Sequence, residues 1–527
     1  MYLALFLEPF FIKYHITVIL IAINFCLLCF LIFINRQYVF KEFKKISVKV
    51  WFLLFLILIL AVILRILIPH RQYPLIYDET FYFQAAVDMF RFDVLLGYSK
   101  SIAWPFVLSL IFKFFTPSNN VVFNTSIFFA AITVFPLFFL TNLFFNEKRF
   151  AMLSALLFVL LPYNIFWSAT GETETTSLFF SVLALMFSFI YFKYREKSLL
   201  WLSIIGLALS VQFRPENIGL FVIFFMFELF FYKKDIFKLL KNFLGLSILY
   251  FVLIIPNLLT VILHYQRHIE RQNYAPRNWN FVTSINNFLT YTSNLFNGIL
   301  IPYFWSFLLI LGFIYLFRIN KKFFIFISCW FFYMIFFYFI FWMDAPMVIN
   351  NTYPDYLVAH GFYNIYPPLV IFISGGLFFI LNLIKRYIYN YFYRLFFIFL
   401  LFNFVLISVV PFYFLLNEKN KENNIVARYL ETKIMDELHK DIPDECILVM
   451  PMERIGVFAS KINKISLNSF LNSLDNYENS DCILFLDDHV CDQEFLSCQK
   501  IKYKFNMHPY KVYKLGNKEF TVYKIIK

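Results

Sequence analysis

Glycine is scarce in this 527-residue chain, at 12 positions, and charge is thin, at 15% of residues. The sequence also lacks a Gly-rich phosphate loop, zinc-type cysteine spacing and any internal repeat. Each lack excludes something. Without the Gly-rich loop there is no nucleotide cradle of the P-loop or dinucleotide type. Seven cysteines without paired short spacings do not read as a zinc site. Carriers with broken helices and close helix packing use glycine freely, so its scarcity argues against a transporter. A soluble domain is about 25% charged and about 45–50% apolar. This chain is 61% apolar, and the excess must face lipid.

Phenylalanine is abundant, at 78 residues, but Ile, Lys and Asn are abundant too, as in a translation of an A/T-rich genome, so the enrichment carries no functional weight. The net charge of +13 reflects basic loops on one side of a membrane rather than a nucleic-acid partner. The first apolar run, Ile16 to Ile34, is longer than the core of a secretory signal and has no small-residue cleavage site, so it reads as an anchor.

Apolar runs of spanning length fall near 14–34, 50–69, 120–145, 150–167, 176–192, 199–213, 215–232, 243–263, 299–317, 323–342, 363–383 and 395–416. These predict an all-α polytopic membrane bundle of about twelve transmembrane helices. The short pair 199–213 and 215–232 meets at Arg214-Pro215-Glu216 as a tight hairpin, and 102–115 is a short interfacial helix. Loops 35–49, 146–149, 193–198, 233–241, 318–322 and 384–394 hold 20 Lys and Arg, against 7 in the longer opposite loops. The first set is therefore expected to be cytoplasmic, with both termini outside. After Asn417 charge rises and apolar runs shorten to strand length at 446–450, 482–486, 510–514 and 520–524, with helical periodicity over 424–439. The expected division is an extra N-terminal helix with a basic loop (1–49), a membrane catalytic unit (50–417) and a small extracytoplasmic α/β domain (418–527). In an oxidising space Cys491 and Cys498 are candidates to pair.

Candidate chemistry lies on the outer loops. Tyr77-Asp78-Glu79-Thr80-Phe81-Tyr82 follows the second span, where adjacent carboxylates are costly to desolvate. Asp78 also suits a helix N-cap, with Glu79 at the positive end of the dipole. Gly171-Glu172-Thr173-Glu174 is a second acidic cluster on a tight turn: a solvated helix start, an acceptor site, or part of a divalent-cation site shared with Asp78. Arg214, Arg267 and Arg271 are the outer-face guanidiniums. Arg214 reads as an isolated cation at headgroup depth, with Glu216 able to hold it.

The Asp-Glu pair in the first outer loop followed by Tyr82 and Ala85-Ala86, Trp104-Pro105 heading an interfacial helix, the Arg214-Pro215-Glu216 hairpin, and Tyr363 to Pro368 opening a late span together resemble the GT-C class of membrane glycosyltransferases. The likeness is to glycosyltransferase family 39, the protein O-mannosyltransferases and lipid A aminoarabinose transferases. It covers roughly residues 50 to 420. It implies transfer of a sugar from a polyprenyl-phosphate donor to a protein, lipid or glycan acceptor on the extracytoplasmic face, with inversion at the anomeric carbon. It implies Asp78 as catalytic base, with Glu79 beside it. A carboxylate takes the acceptor hydroxyl's proton during attack, and cations hold the leaving phosphate. Arg214, with Arg267 or Arg271, is expected to fill that second role. The chain departs from the family in its extra span at 14–34, in the lack of a Trp-Trp-Asp motif, and in the run His360 to Tyr363, where relatives often carry an arginine; His360 is the nearest substitute. The rival readings are a flippase or carrier for lipid-linked glycans and a glycan polymerase. No cofactor is required by these residues beyond a possible divalent cation.

Overall fold

The structure is a computed structural model. It describes residues 16–67, 78–91, 101–161, 164–165, 168, 170–231, 244–255, 258, 303–341, 363–387, 443, 446–450, 463–466, 482–487, 501–515 and 518–526. The bundle runs α1 (Ile16–Ile34), α2 (Arg36–Lys44), α3 (Val48–Ile66), α4 (Asp78–Arg91), α5 (Ala103–Ile111), α6 (Asn119–Ile132), α7 (Val134–Phe145), α8 (Lys148–Leu160), α9 (Glu174–Tyr194), α10 (Lys197–Phe213), α11 (Ile218–Phe231), α12 (Leu244–Ile255), α13 (Tyr303–Ile319), α14 (Lys321–Phe341) and α15 (Tyr366–Tyr387).

Five segments among the described residues are long and apolar enough to cross a membrane: Thr17–Ile34, Val48–Ile66, Asn119–Phe145, Glu174–Tyr194 and Tyr363–Lys385. Among the described residues the count is five against the expected twelve or so, and several of the expected spans lie partly or wholly outside those residues. The run 150–167 gives a helix of only 13 residues, because Leu161 turns extended ahead of Pro162. The run 215–232 gives 14, because Pro215 opens a 3₁₀ turn, Pro215–Asn217, before α11 begins. Lys197–Phe213, Leu244–Ile255 and Trp305–Ile319 are apolar but shorter than a full span. The expected span 395–416 lies outside the described residues, as do the basic loop 233–241 and the predicted tail helix 424–439.

The basic loops come together at one end. Lys148 Nζ donates to the Lys45 carbonyl at 2.8 Å, Lys193 and Lys45 pair with Glu42 at 2.9 and 2.7 Å, and Ser198 donates to Asn35 Oδ1 at 2.6 Å. Asn320 Nδ2 donates to the Phe144 carbonyl at 3.2 Å, which brings in the loop before α14. Burial alone would raise the Glu42 carboxyl, but hydrogen bonds from Lys45, Tyr194 and Lys193 hold it below its ordinary value. Helix α9 ends here, stopped by Arg195 in the left-handed region at φ 60°. Its first residue, Glu174, is 21 residues away at the other end, a rise of about 30 Å, the thickness of a bilayer core.

The first helix is held into the bundle by buried polar side chains. Asn24 Nδ2 donates to Gln212 Oε1 at 3.1 Å, and Gln212 Nε2 donates to the Leu253 carbonyl at 2.9 Å. Such bonds act where lipid offers no competing donor or acceptor. The few glycines are concentrated in effect. A Cβ on Gly312 would sit 1.8 Å from the Phe372 carbonyl oxygen, and one on Gly376 2.0 Å from that of Leu308, so α13 and α15 meet backbone to backbone. Close helix contact therefore coexists with a low glycine count, and the scarcity does not exclude it.

The C-terminal residues form a five-stranded sheet: β1 (Ile447–Met450), β2 (Asn463–Ser466), β3 (Ile483–Asp487), β4 (Asn506–Leu515) and β5 (Lys518–Ile526), in the order β2-β1-β3-β5-β4. β1 lies parallel to β2 and β3, and β5 antiparallel to β3 and β4. Val449, Ile483, Phe485, Ile501 and Ile525 make its core. β2 escapes a sequence reading because Asn463-Lys464-Ile465-Ser466 carries a single apolar residue. Cys446 and Cys482, at the starts of β1 and β3, form a disulfide across Cα atoms 4.7 Å apart. The expected Cys491–Cys498 pair lies outside the described residues.

Candidate active site

The end of the bundle opposite the basic loops carries a buried polar layer. Helix α4 starts at Asp78, whose side chain lies outside the described residues. Glu79, in the first turn, is buried and accepts from the Gly171 amide at 2.8 Å. The indole of Trp104 donates to the Gly171 carbonyl at 2.8 Å. Gly171 is thereby held through both its amide and its carbonyl, joining the Asp-Glu motif and the Trp-Pro helix to the second acidic cluster. Glu79 thus stands at the helix start, as expected, and also brackets two loops.

Three residues on, Glu174 opens α9 and is 2% exposed. Arg214 Nη1 pairs with Glu174 Oε1 at 3.0 Å, and Arg214 Nε with Glu216 Oε1 at 2.5 Å. Arg214 therefore sits between two carboxylates and is not an isolated cation. The Glu216 carbonyl accepts from Tyr333 at 2.9 Å. Asn217 Nδ2 donates to Ser177 Oγ and the Ser210 carbonyl, both at 2.9 Å, and its Oδ1 accepts from Asn364 Nδ2 at 2.9 Å. Tyr363, next in chain, donates to Asn164 Oδ1, and Asn164 Nδ2 donates to the Phe158 carbonyl at 2.6 Å. The layer links six helices and two 3₁₀ turns, Pro215–Asn217 and Tyr363–Ile365.

Of the residues singled out from sequence, Glu79, Glu174 and Arg214 meet through the Gly171 turn. Glu172, on the same turn, is half-buried. Arg267, Arg271 and His360 lie outside the described residues. Asp88 accepts from Gln84 one turn earlier on its own helix, at 2.8 Å. Among the described residues no three His, Cys, Asp or Glu side chains converge as a metal ion would need. Asn164, Asn217 and Asn364 were not foreseen, although a buried amide at a span end is a readable signal. Arg65, inside the second apolar run and fully buried, is a lone charge in a span, a signal the sequence itself carries.

Residues 99–259, less than half of the chain, match the family model for dolichyl-phosphate-mannose-protein mannosyltransferase. That stretch contains Trp104, Glu174 and Arg214 and stops short of Asp78 and Glu79. The structure superposes on ArnT from Cupriavidus metallidurans bound to undecaprenyl phosphate with a TM-score of 0.54, at 11% identity, over 90% of this chain and 98% of that one. It superposes on the apo Archaeoglobus fulgidus oligosaccharyltransferase with a TM-score of 0.51, at 13% identity, over 86% of this chain and 71% of that one. The chain has the GT-C fold. No curated protein sequence matches it. Within the GT-C fold, the acidic layer lies at the end of α8 and at the start of α9, and the sheet is C-terminal to the bundle.

Proposed function

We propose that the protein is a glycosyltransferase that moves one sugar from a polyprenyl-phosphate donor to an acceptor hydroxyl at the acidic end of the bundle. The observation that carries this reading is the buried layer that ties Glu79, Gly171, Glu174 and Arg214 together, in a chain with the fold of an oligosaccharyltransferase and of ArnT, the latter bound to undecaprenyl phosphate. The residues 50–417 would form the catalytic unit, with Asp78 as general base and inversion at the anomeric carbon. A base within hydrogen-bond reach of the acceptor removes its proton as the oxygen attacks. Glu79 positions the first turn of α4 by its bond to Gly171. Glu172 and Glu174 remain candidates for the acceptor side. Arg214, already compensated by two carboxylates, acts by orienting Glu174 and Glu216.

The test is turnover. Purified protein in proteoliposomes should release polyprenyl phosphate from a radiolabelled polyprenyl-phosphate sugar only when an acceptor is present. Transbilayer movement of an intact lipid-linked sugar, without cleavage, would instead identify a flippase.

The acidic end is proposed to be extracytoplasmic, because the basic loops cluster at the other end. The Cys446–Cys482 disulfide favours the same side for the C-terminal sheet. A membrane-impermeant thiol reagent should label these two cysteines in intact cells only after reduction. Labelling without reduction would remove the disulfide but keep the side, whereas labelling only after permeabilisation would reverse the orientation.

A further inference from the structure

Arg65 stands in the last turn of α3, two residues before Leu67, which is 72% exposed. Its own side chain is fully buried. Nη1 donates back to the Ala61 carbonyl at 2.9 Å, while Nε and Nη2 meet no hydrogen-bond partner among the described residues. Two ordinary explanations apply to an arginine in such a place. It can snorkel to the interface, or it can cap the carbonyls of its own helix end. Snorkelling is excluded, because the side chain turns back along α3 and carries no exposed surface. Capping accounts for Nη1 alone. A buried guanidinium with two of its three nitrogens unanswered is among the costliest arrangements a bundle can hold.

The unanswered edge has a specific shape. Nε–H and Nη2–H lie side by side and point the same way. They form the fork that grips two oxygens of one phosphate or carboxylate. The surroundings favour an anion as well. Tyr363, also fully buried, lies within electrostatic reach of Arg65 and donates to Asn164. Helix α8 packs against both α3 and α15, which sets these three residues at the same end as Glu174. Arg214 in that layer is compensated by Glu174 and Glu216, whereas Arg65 has no carboxylate partner among the described residues.

We infer that Arg65 holds the phosphate of the lipid-linked donor through its Nε–Nη2 edge. The inference rests on the transferase reading for the identity of the anion. A phosphate fits better than a carboxylate because the proposed donor carries one and Arg65 stands in the last turn of α3. The departing polyprenyl phosphate gains charge as the sugar leaves, and a buried cation meets that charge.

The experiment measures thermal unfolding and binding of the detergent-solubilised full chain with three probes: undecaprenyl phosphate, undecaprenol and inorganic phosphate. Undecaprenyl phosphate should stabilise the parent, and undecaprenol should not. Arg65→Met should bind undecaprenyl phosphate roughly 100-fold more weakly. Without ligand, Arg65→Met should melt no lower than the parent, since it removes an unanswered charge. Arg65→Lys, which keeps the charge but not the fork, should fold like the parent and lose about tenfold in affinity. Undiminished affinity in Arg65→Met would overturn the assignment. So would a lower ligand-free melting point, which marks a structural strut. Equal stabilisation by inorganic phosphate and by the lipid would overturn the lipid as occupant. If undecaprenyl phosphate binds through Arg65 while no polyprenyl-phosphate sugar is turned over, the transferase reading falls and this one stands. Unchanged turnover in Arg65→Met does the reverse.

Discussion

Asp78→Asn is expected to lower sugar transfer by roughly 100- to 10,000-fold, the usual contribution of a positioned general base. The substitution keeps size and hydrogen bonding and removes only basicity, so donor affinity should be unchanged. The loss should appear in single-turnover transfer at saturating donor, because proton removal belongs to the transition state. Glu79→Gln provides the contrast. Its side-chain carbonyl can still accept from the Gly171 amide, the 2.8 Å bond that anchors the first turn of α4. A bond to a neutral acceptor is weaker than one to a carboxylate, so a fall of no more than about tenfold is expected. If Asp78→Asn transferred sugar at the parent rate, the base would have to be another residue. If Glu79→Gln proved the more damaging of the two, the roles of the pair would be exchanged.

The bundle was legible where composition decides the structure. Long apolar runs became helices at nearly the expected bounds, as at 14–34 and Ile16–Ile34, or 363–383 and Tyr366–Tyr387. Ends were legible where backbone chemistry is local. Pro215 breaks the hairpin, and the break became a 3₁₀ turn. Span number was less legible, because hydropathy counts runs and not the helix that each run can complete before a proline. The candidate site was half legible. The Asp-Glu pair and the Glu172–Glu174 turn stand out as charges beside apolar runs, but their partnership is a tertiary fact: Glu79 and Gly171 are 92 residues apart. Arg214 was misread as isolated because Glu174, 40 residues earlier, is invisible as its partner in one dimension. The buried amides of Asn164, Asn217 and Asn364 carry no periodic signature at all.

Arg214→Ala is expected to destabilise the folded bundle by about 3–5 kcal/mol, the cost of leaving buried carboxylates without their cation. Glu174 is 2% exposed and Glu216 6%, so water cannot replace the guanidinium. The expected loss would be read as a large drop in thermal unfolding temperature in detergent. Arg214→Lys should recover only part of it, because one ammonium cannot reproduce the separate Nε and Nη1 contacts to two carboxylates. The double variant Arg214→Ala/Glu174→Gln decides what kind of residue Arg214 is. Removing the cation together with one of its anions should restore a good part of the stability, and the two changes should be strongly non-additive because the side chains touch. Once the fold is recovered, undecaprenyl phosphate binding can be measured without confusion from unfolding. If Arg214 is a strut between two acids, the double variant should bind this lipid within a few-fold of the parent. A loss of binding in a well-folded double variant would return Arg214 to the phosphate. It would mean that the donor displaces Glu174 or Glu216 from the guanidinium when it enters.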